Sequence, residues 1–206
     1  MYKKICILLL SIFLLFGCKS TNINKLTLQE IIDTSIKEDV KNYNVNSKGY
    51  RYYLPNEFSI VKDEDYIQEL LSKNNKYYLN VDIVSYYYKN TVSEERNIDD
   101  YEFFEFENNG KKGYLRITKN NDYFFVTLCY NYAIIEVEVE QDELRYAVSR
   151  SIVILNSIKY NDLVIEKYIN DSDLDSSETE YKIPEPKNKN ESRNILEYIE
   201  EYEDGE

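Results

Sequence analysis

The sequence predicts an α+β domain: an antiparallel sheet packed with one helix near its start and one near its end. Three observations carry that prediction. Between residues 101 and 140, apolar and polar side chains alternate with a period of two, interrupted by short turn signals. Residues 28–40 and 142–156 carry apolar stripes at helical spacing instead. From residue 165 onward the chain holds 14 Asp and Glu against 5 Lys and Arg, so the sheet and helices must lie before it.

The first helix starts at Thr27-Leu28-Gln29-Glu30, a capping-box pattern in which Thr27 caps and Glu30 reaches back to its amide. Leu28, Ile31, Ile32, Ile36 and Val40 supply its stripe, giving a helix over about 28–40. Residues 41–48 read as an Asn-rich connector. Tyr50 to Leu54 is extended, Pro55-Asn56 makes a turn or bulge at a sheet edge, and Phe58 to Lys62 is the next strand. Asp63, Glu64 and Asp65 form a charged turn. Tyr66 to Ser72 fits a strand or a short helix; the hairpin signal Lys73-Asn74-Asn75-Lys76 behind it favours a strand. Alternation then runs from Tyr77 through Val84 into Tyr86-Tyr87-Tyr88, and residues 91–100 form a polar loop.

A meander follows. Tyr101 to Glu107 sets Phe104 and Phe106 against Glu105 and Glu107, and Asn109-Gly110 tolerates the positive φ of a type I′ turn. Tyr114 to Thr118 returns. Tyr123 to Tyr130 is apolar enough for burial on both faces. Ala133 to Glu140 turns Ile135, Val137 and Val139 inward and Glu136, Glu138 and Glu140 to water. Asp142 caps a helix to residue 156 with Leu144, Val148, Ile152 and Leu155 in line, and residues 157–164 add a last extended piece. The globular domain therefore spans 25–164. About 140 residues bury close to 70% of the unfolded surface, enough for a core without metal or disulfide. Residues 165–206 form an acidic tail expected to be mostly disordered. Within it Ile195, Tyr198, Ile199 and Tyr202 are spaced for a short docking helix over 192–203.

The N-terminus carries a different message. Met1-Tyr2-Lys3-Lys4 is a short basic region, and Ile5 to Phe16 is an apolar run too short to span a bilayer, which needs about 20 residues. Leu15-Phe16-Gly17-Cys18 closes it and resembles the bacterial lipobox, with Phe16 where that motif usually has a small residue. The resemblance implies a signal peptide over 1–17, cleavage before Cys18 and a diacylglycerol thioether on Cys18. Residues 18–24 then form a tether, and the protein sits on the outer face of the cell membrane, held by lipid. The order of elements over about 25–162 resembles PsbP-like domains, small exported α+β modules with a central antiparallel sheet flanked by helices.

Composition narrows the chemistry. Loss of Lys3 and Lys4 with the signal peptide takes the net charge from −13 to −15, which argues against nucleic acid and against adhesion to anionic lipid by charge. With Cys6 removed and Cys18 lipidated, Cys129 has no partner and reads as a small buried hydrophobe. Histidine is absent, which excludes Ser-His-Asp, Cys-His and His-metal sites, and no phosphate-loop or nucleophile-elbow motif occurs. Asp171-Ser172-Asp173-Leu174-Asp175 imitates the start of a calcium loop, but Ser176 and Lys182 stand where that loop needs Gly and Glu. Asp82, Glu105, Glu107, Glu136 and Glu138 could supply a hydrolase carboxylate pair, yet alternation sends them to water. No cofactor and no metal are expected, and no enzymatic activity.

The 22 tyrosines, with abundant Asn, Ile and Lys, use A/T-rich codons and fit a low-GC bacterial genome. Tyr50, Tyr52, Tyr53, Tyr86, Tyr87 and Tyr88 are the candidate contact residues, because clustered exposed tyrosines give contact area at low entropy cost. The expected function is a non-catalytic binding or assembly module for a protein or glycan. The alternatives are an envelope-supporting lipoprotein without specific ligand and, further off, a carboxylate-dependent hydrolase.

Overall fold

A computed structural model describes residues 23–171. The lipobox with Cys18, the tether up to residue 22, the calcium-like run beyond Asp171 and the helix expected over 192–203 lie outside those residues. The fold is α+β, built on two antiparallel sheets of three and seven strands.

Helix α1 (Leu28–Ser35) starts as its capping box dictates: the Glu30 amide donates to Thr27 Oγ1 at 3.2 Å and the Thr27 amide to Glu30 Oε2 at 2.8 Å. It stops five residues short of the expected end. Asn156 explains the stop, since its Nδ2 donates to the carbonyls of Ser35 and Glu38 at 3.0 and 2.9 Å and so satisfies the freed helix end. The connector after it is not featureless. It contains β1 (Val45–Ser47), which turns at Gly49 into β2 (Tyr50–Tyr52). Gly49 is at φ +85°, and a Cβ there would meet Ile165 Cγ1 at 2.7 Å, so both conformation and space require glycine.

The larger sheet is two meanders joined at their inner strands. One runs through β3 (Phe58–Glu64), β4 (Ile67–Ser72) and β5 (Asn75–Val81). The other runs through β6 (Asp100–Asn108), β7 (Lys111–Asn120), β8 (Tyr123–Tyr130) and β9 (Ala133–Glu140). Strands β5 and β9 pair, which gives the order β3-β4-β5-β9-β8-β7-β6. The chain therefore crosses from the middle of the sheet to its far edge between residues 82 and 99. That crossing holds α2 (Ile83–Tyr88), where continued strand was expected. Asp82 overrides the alternation there: its Oδ1 accepts from the Ser85 amide at 2.7 Å, and Lys89 closes the helix in the left-handed region at φ +56°.

Leu79, Ile135, Leu128 and Leu115 stand opposite one another across four strands, each fully buried. Burying each such side chain contributes about 1.5–3 kcal/mol. Helix α3 (Leu144–Ser157) covers this face with Leu144, Val148, Ile152 and Leu155 inward, as expected from their spacing. Its first turn differs. Glu143, not Asp142, takes the cap position and makes no capping bond, because Lys73 Nζ donates to its carboxylate at 2.6 and 2.8 Å.

The last extended piece shrinks to β10 (Lys159–Tyr160), and α4 (Asp162–Asp171) follows. Folded structure thus continues past the expected boundary at 164, with Ile165 fully buried. Strand β10 pairs with β2, completing the small sheet in the order β1-β2-β10.

Candidate functional site

Two concavities meet at β10. The larger, about 990 Å³, lies between the β1–β2 hairpin, Asp63 and Asp65, and the start of α4. The smaller, about 540 Å³, lies between the segment after α1, the β6–β7 turn and the end of α3. Lys159, Tyr160 and Asp162 line both.

Tyr160 anchors the wall between them. Its Oη donates to the Asn131 carbonyl at 2.7 Å, and burial pushes its hydroxyl pKa well above the usual tyrosine value, so it stays a neutral donor. Tyr86 stacks on it with ring centroids 3.8 Å apart. Lys89 Nζ lies 3.6 Å from the Tyr86 ring centre, and Tyr132 meets its edge at 5.8 Å. Tyr86 Oη donates to Asp162 Oδ1 at 2.7 Å and ties α2 to the start of α4. Desolvation, then that bond, raises the Tyr86 pKa to about 12. Tyr132 holds this arrangement at some cost: with Asn131 it forms a turn at φ +64° and +53° with no glycine in it.

The walls of the smaller cleft mix tyrosine, amide and charge. Lys111 and Lys159 both line it, and desolvation draws the Lys111 ammonium below its ordinary pKa of 10.5. Repulsion from Lys159 adds to that fall, and attraction to Asp39 opposes it. The Asn108 and Asn156 amides are committed to the backbone of residues 35–38.

The six candidate tyrosines separate. Tyr50 and Tyr52 are 3% and 0% exposed, stacked on each other, with Tyr52 Oη donating to Gln68 Oε1 at 2.7 Å. They belong to the core and do not offer an open contact surface; Tyr50 nevertheless reaches the wall of the larger cleft, opposite Tyr160 in the β2–β10 pair. Tyr53 is half-buried, its amide donating to Ser157 Oγ at 2.9 Å. Tyr87 packs its ring edgewise on Tyr88, and Tyr88 alone of the six is strongly exposed, at 61%. Of the six, Tyr50 and Tyr86 are brought to the clefts. Sequence reasoning missed Tyr160, Lys111 and Lys159, whose only local signal was a short extended stretch and a turn-flanking lysine.

Two other sequence expectations meet geometry here. Cys129 is 4% exposed with its thiol pushed up to about 12, which leaves almost no thiolate to react and fits a packing role. Among the sheet carboxylates, Glu105 and Glu107 are exposed as expected, while Glu136 is 8% exposed and accepts from Thr127 Oγ1 at 3.2 Å. Its water-facing assignment is therefore corrected. Glu136 lies in β9, the central strand of the seven, between Tyr78 of β5 and Thr127 of β8, and flanking strands on both sides limit its access to solvent. Among the described residues no helix is long and apolar enough to cross a membrane.

No family model matches the chain, and neither curated proteins nor solved structures yield a match.

Proposed function

We propose that the chain is a membrane-anchored extracytoplasmic lipoprotein whose α+β domain is a non-catalytic binding or assembly module. The observation that supports binding most is the smaller cleft: concave, about 540 Å³, and lined by Tyr43, Tyr86, Tyr130 and Tyr160 beside Asn109 and Asn131. Volumes of about 300–1,000 Å³ are those of ligand pockets, and tyrosine with amide side chains suits a glycan or a peptide. A chain without histidine favours recognition over hydrolysis in such a place. The lipobox resemblance at Leu15-Phe16-Gly17-Cys18 supports the anchor.

The anchor is tested by intact mass and detergent-phase partition of the full chain made in a bacterium that lipidates, beside a Cys18→Ala control. A lipid-sized mass increment and partition that vanish in the control are expected. Unmodified wild type in the medium would overturn the anchor. The binding role is tested on glycan and peptide arrays with wild type and Tyr160→Ala. Signals lost in the variant support a ligand in the cleft, and a blank array on both favours the support role without ligand.

A further inference from the structure

We infer that the smaller cleft takes a ligand bearing a phosphate group, and that this oxyanion is held between Lys111 and Lys159. The inference rests on the binding role proposed above and adds the chemical class of what is bound.

Two described lysines are half-buried, Lys76 and Lys111. Lys76 has the Glu69 carboxylate at 3.8 Å. Lys111 has no carboxylate within 4 Å among the described residues, although the chain carries a net charge of −13. Partly desolvating an ammonium without a counter-charge is costly, so a position that keeps one is poised for an anion from outside. Lys159 approaches the same space from β10 and likewise has no carboxylate within 4 Å among the described residues. Mutual repulsion of the two lysines is relieved by one shared anion.

The acidic residues of the cleft do not fill that role. Asp39 pairs with Lys41 at 3.4 Å, Asp162 accepts from Tyr86, and Glu38 is exposed at the rim. Two lysines also select among anions. A carboxylate is matched best by the planar fork of arginine, and no arginine lines this cleft. Ammonium groups act as point charges and suit a tetrahedral, multiply charged oxyanion approached from two sides. The cleft volume exceeds a bare phosphate, so an ester with an organic portion against the half-buried Tyr43 fits better than the free ion.

The test is amide chemical-shift mapping of the full chain in detergent micelles at constant chloride, titrated with inorganic phosphate, glycerol 3-phosphate and uncharged glycerol. Saturable shifts at residues 109–112 and 158–161 with glycerol 3-phosphate are expected, stronger than with inorganic phosphate and absent with glycerol. Lys111→Gln with Lys159→Gln should weaken binding about tenfold or more, since charge-assisted hydrogen bonds carry it. Lys112→Gln, one residue along on the exposed side, should leave it unchanged. Equal affinity in the double variant, or shifts elsewhere in the domain, would overturn the proposal. An uncharged sugar or peptide that shifts the cleft amides regardless of either lysine would overturn it while leaving the binding role standing. Silence from the cleft toward all array ligands and phosphates sinks both. A further arm offers the Cys18→Ala chain vesicles of phosphatidylglycerol or phosphatidylcholine. Competition by the former alone identifies a lipid headgroup as the source of the phosphate, and no competition identifies a soluble ester.

Discussion

The seven-stranded sheet and the small sheet beside it are built by different rules. In the large sheet, five of the six strand pairs join strands consecutive in sequence, the sixth is the β5–β9 seam, and the turns between neighbours are short. Asn109-Gly110 takes φ +51° and +77°, the turn that the dipeptide announces. In the small sheet, Arg51 pairs with Lys159 and Tyr50 with Tyr160, more than a hundred residues apart. Neither segment is long enough to declare itself: β1 and β2 have three residues each and β10 two. Both clefts open at this second structure. The large sheet is the rigid support, and its short partner supplies the shape that a ligand would meet.

The sharpest way to break the support is Gly113→Ala. Gly113 stands opposite Tyr130 in the β7–β8 pair, and a Cβ there would lie 2.2 Å from the Cys129 carbonyl oxygen and 3.0 Å from Tyr130 Cα. Backbone atoms of a neighbouring strand cannot step aside as a flexible side chain can, so the pair must separate. The expected loss is about 3 kcal/mol or more, read as a global fall in urea midpoint with every amide of β7 and β8 affected. Unchanged stability would mean that this pair is far more pliable than its burial indicates.

Ile165→Ala should separate the two regions instead of breaking both. Ile165 is fully buried and supplies the main apolar anchor of α4, with Ile169 packed beside it. Truncation leaves a cavity worth about 2–4 kcal/mol in a packed core. Here the loss should surface as local opening: faster hydrogen exchange in β10 and α4, with exchange in β8 and β9 close to wild type. The clefts share Lys159, Tyr160 and Asp162 with those elements, so ligand binding should fall along with protection. Uniformly faster exchange across the large sheet would show that the regions unfold together.

This contrast also explains what the sequence could tell. Alternation, helical stripes and turn dipeptides report local geometry, and they placed β3 to β9, α1 and α3 and the inward face of β9; β8, expected to be buried on both faces, has Phe125 and Thr127 half-buried on one of them. The capping box at Thr27 was legible to the atom. The α2 helix was not, because six residues of Ile, Val, Ser and Tyr read as strand until Asp82 is seen to cap them. The clefts were less legible still. Lys159 and Tyr160, adjacent in β10, lie far along the chain from Lys111 at the start of β7, and no local pattern joins them. Tyr50 and Tyr52 looked like contact residues because alternation says which side chains share a face but not which face is covered. Tyr52 is core because α3, Gln68 and Ser157 close around β2.

The smallest effect tests that same blind spot on the helix-free face. Alternation put Glu136 in water, whereas burial raises its carboxyl pKa above 4.5, opposed by the hydrogen bond from Thr127. A carboxyl whose folded pKa is raised favours folding least when ionised: the penalty is full above the folded pKa and disappears as pH falls to the unfolded value. Glu136→Gln keeps the oxygen that accepts from Thr127 and removes the charge. It should therefore stabilise the domain at pH 7, by under about 1 kcal/mol, and the gain should shrink toward zero as pH is lowered through the folded pKa to near 4. Urea unfolding of both chains at the two pH values measures it. A gain that persists at pH 4 would trace to something other than the buried charge. No gain at pH 7 would mean that water reaches Glu136 after all, and that the open face of the large sheet is as solvated as its sequence pattern suggests.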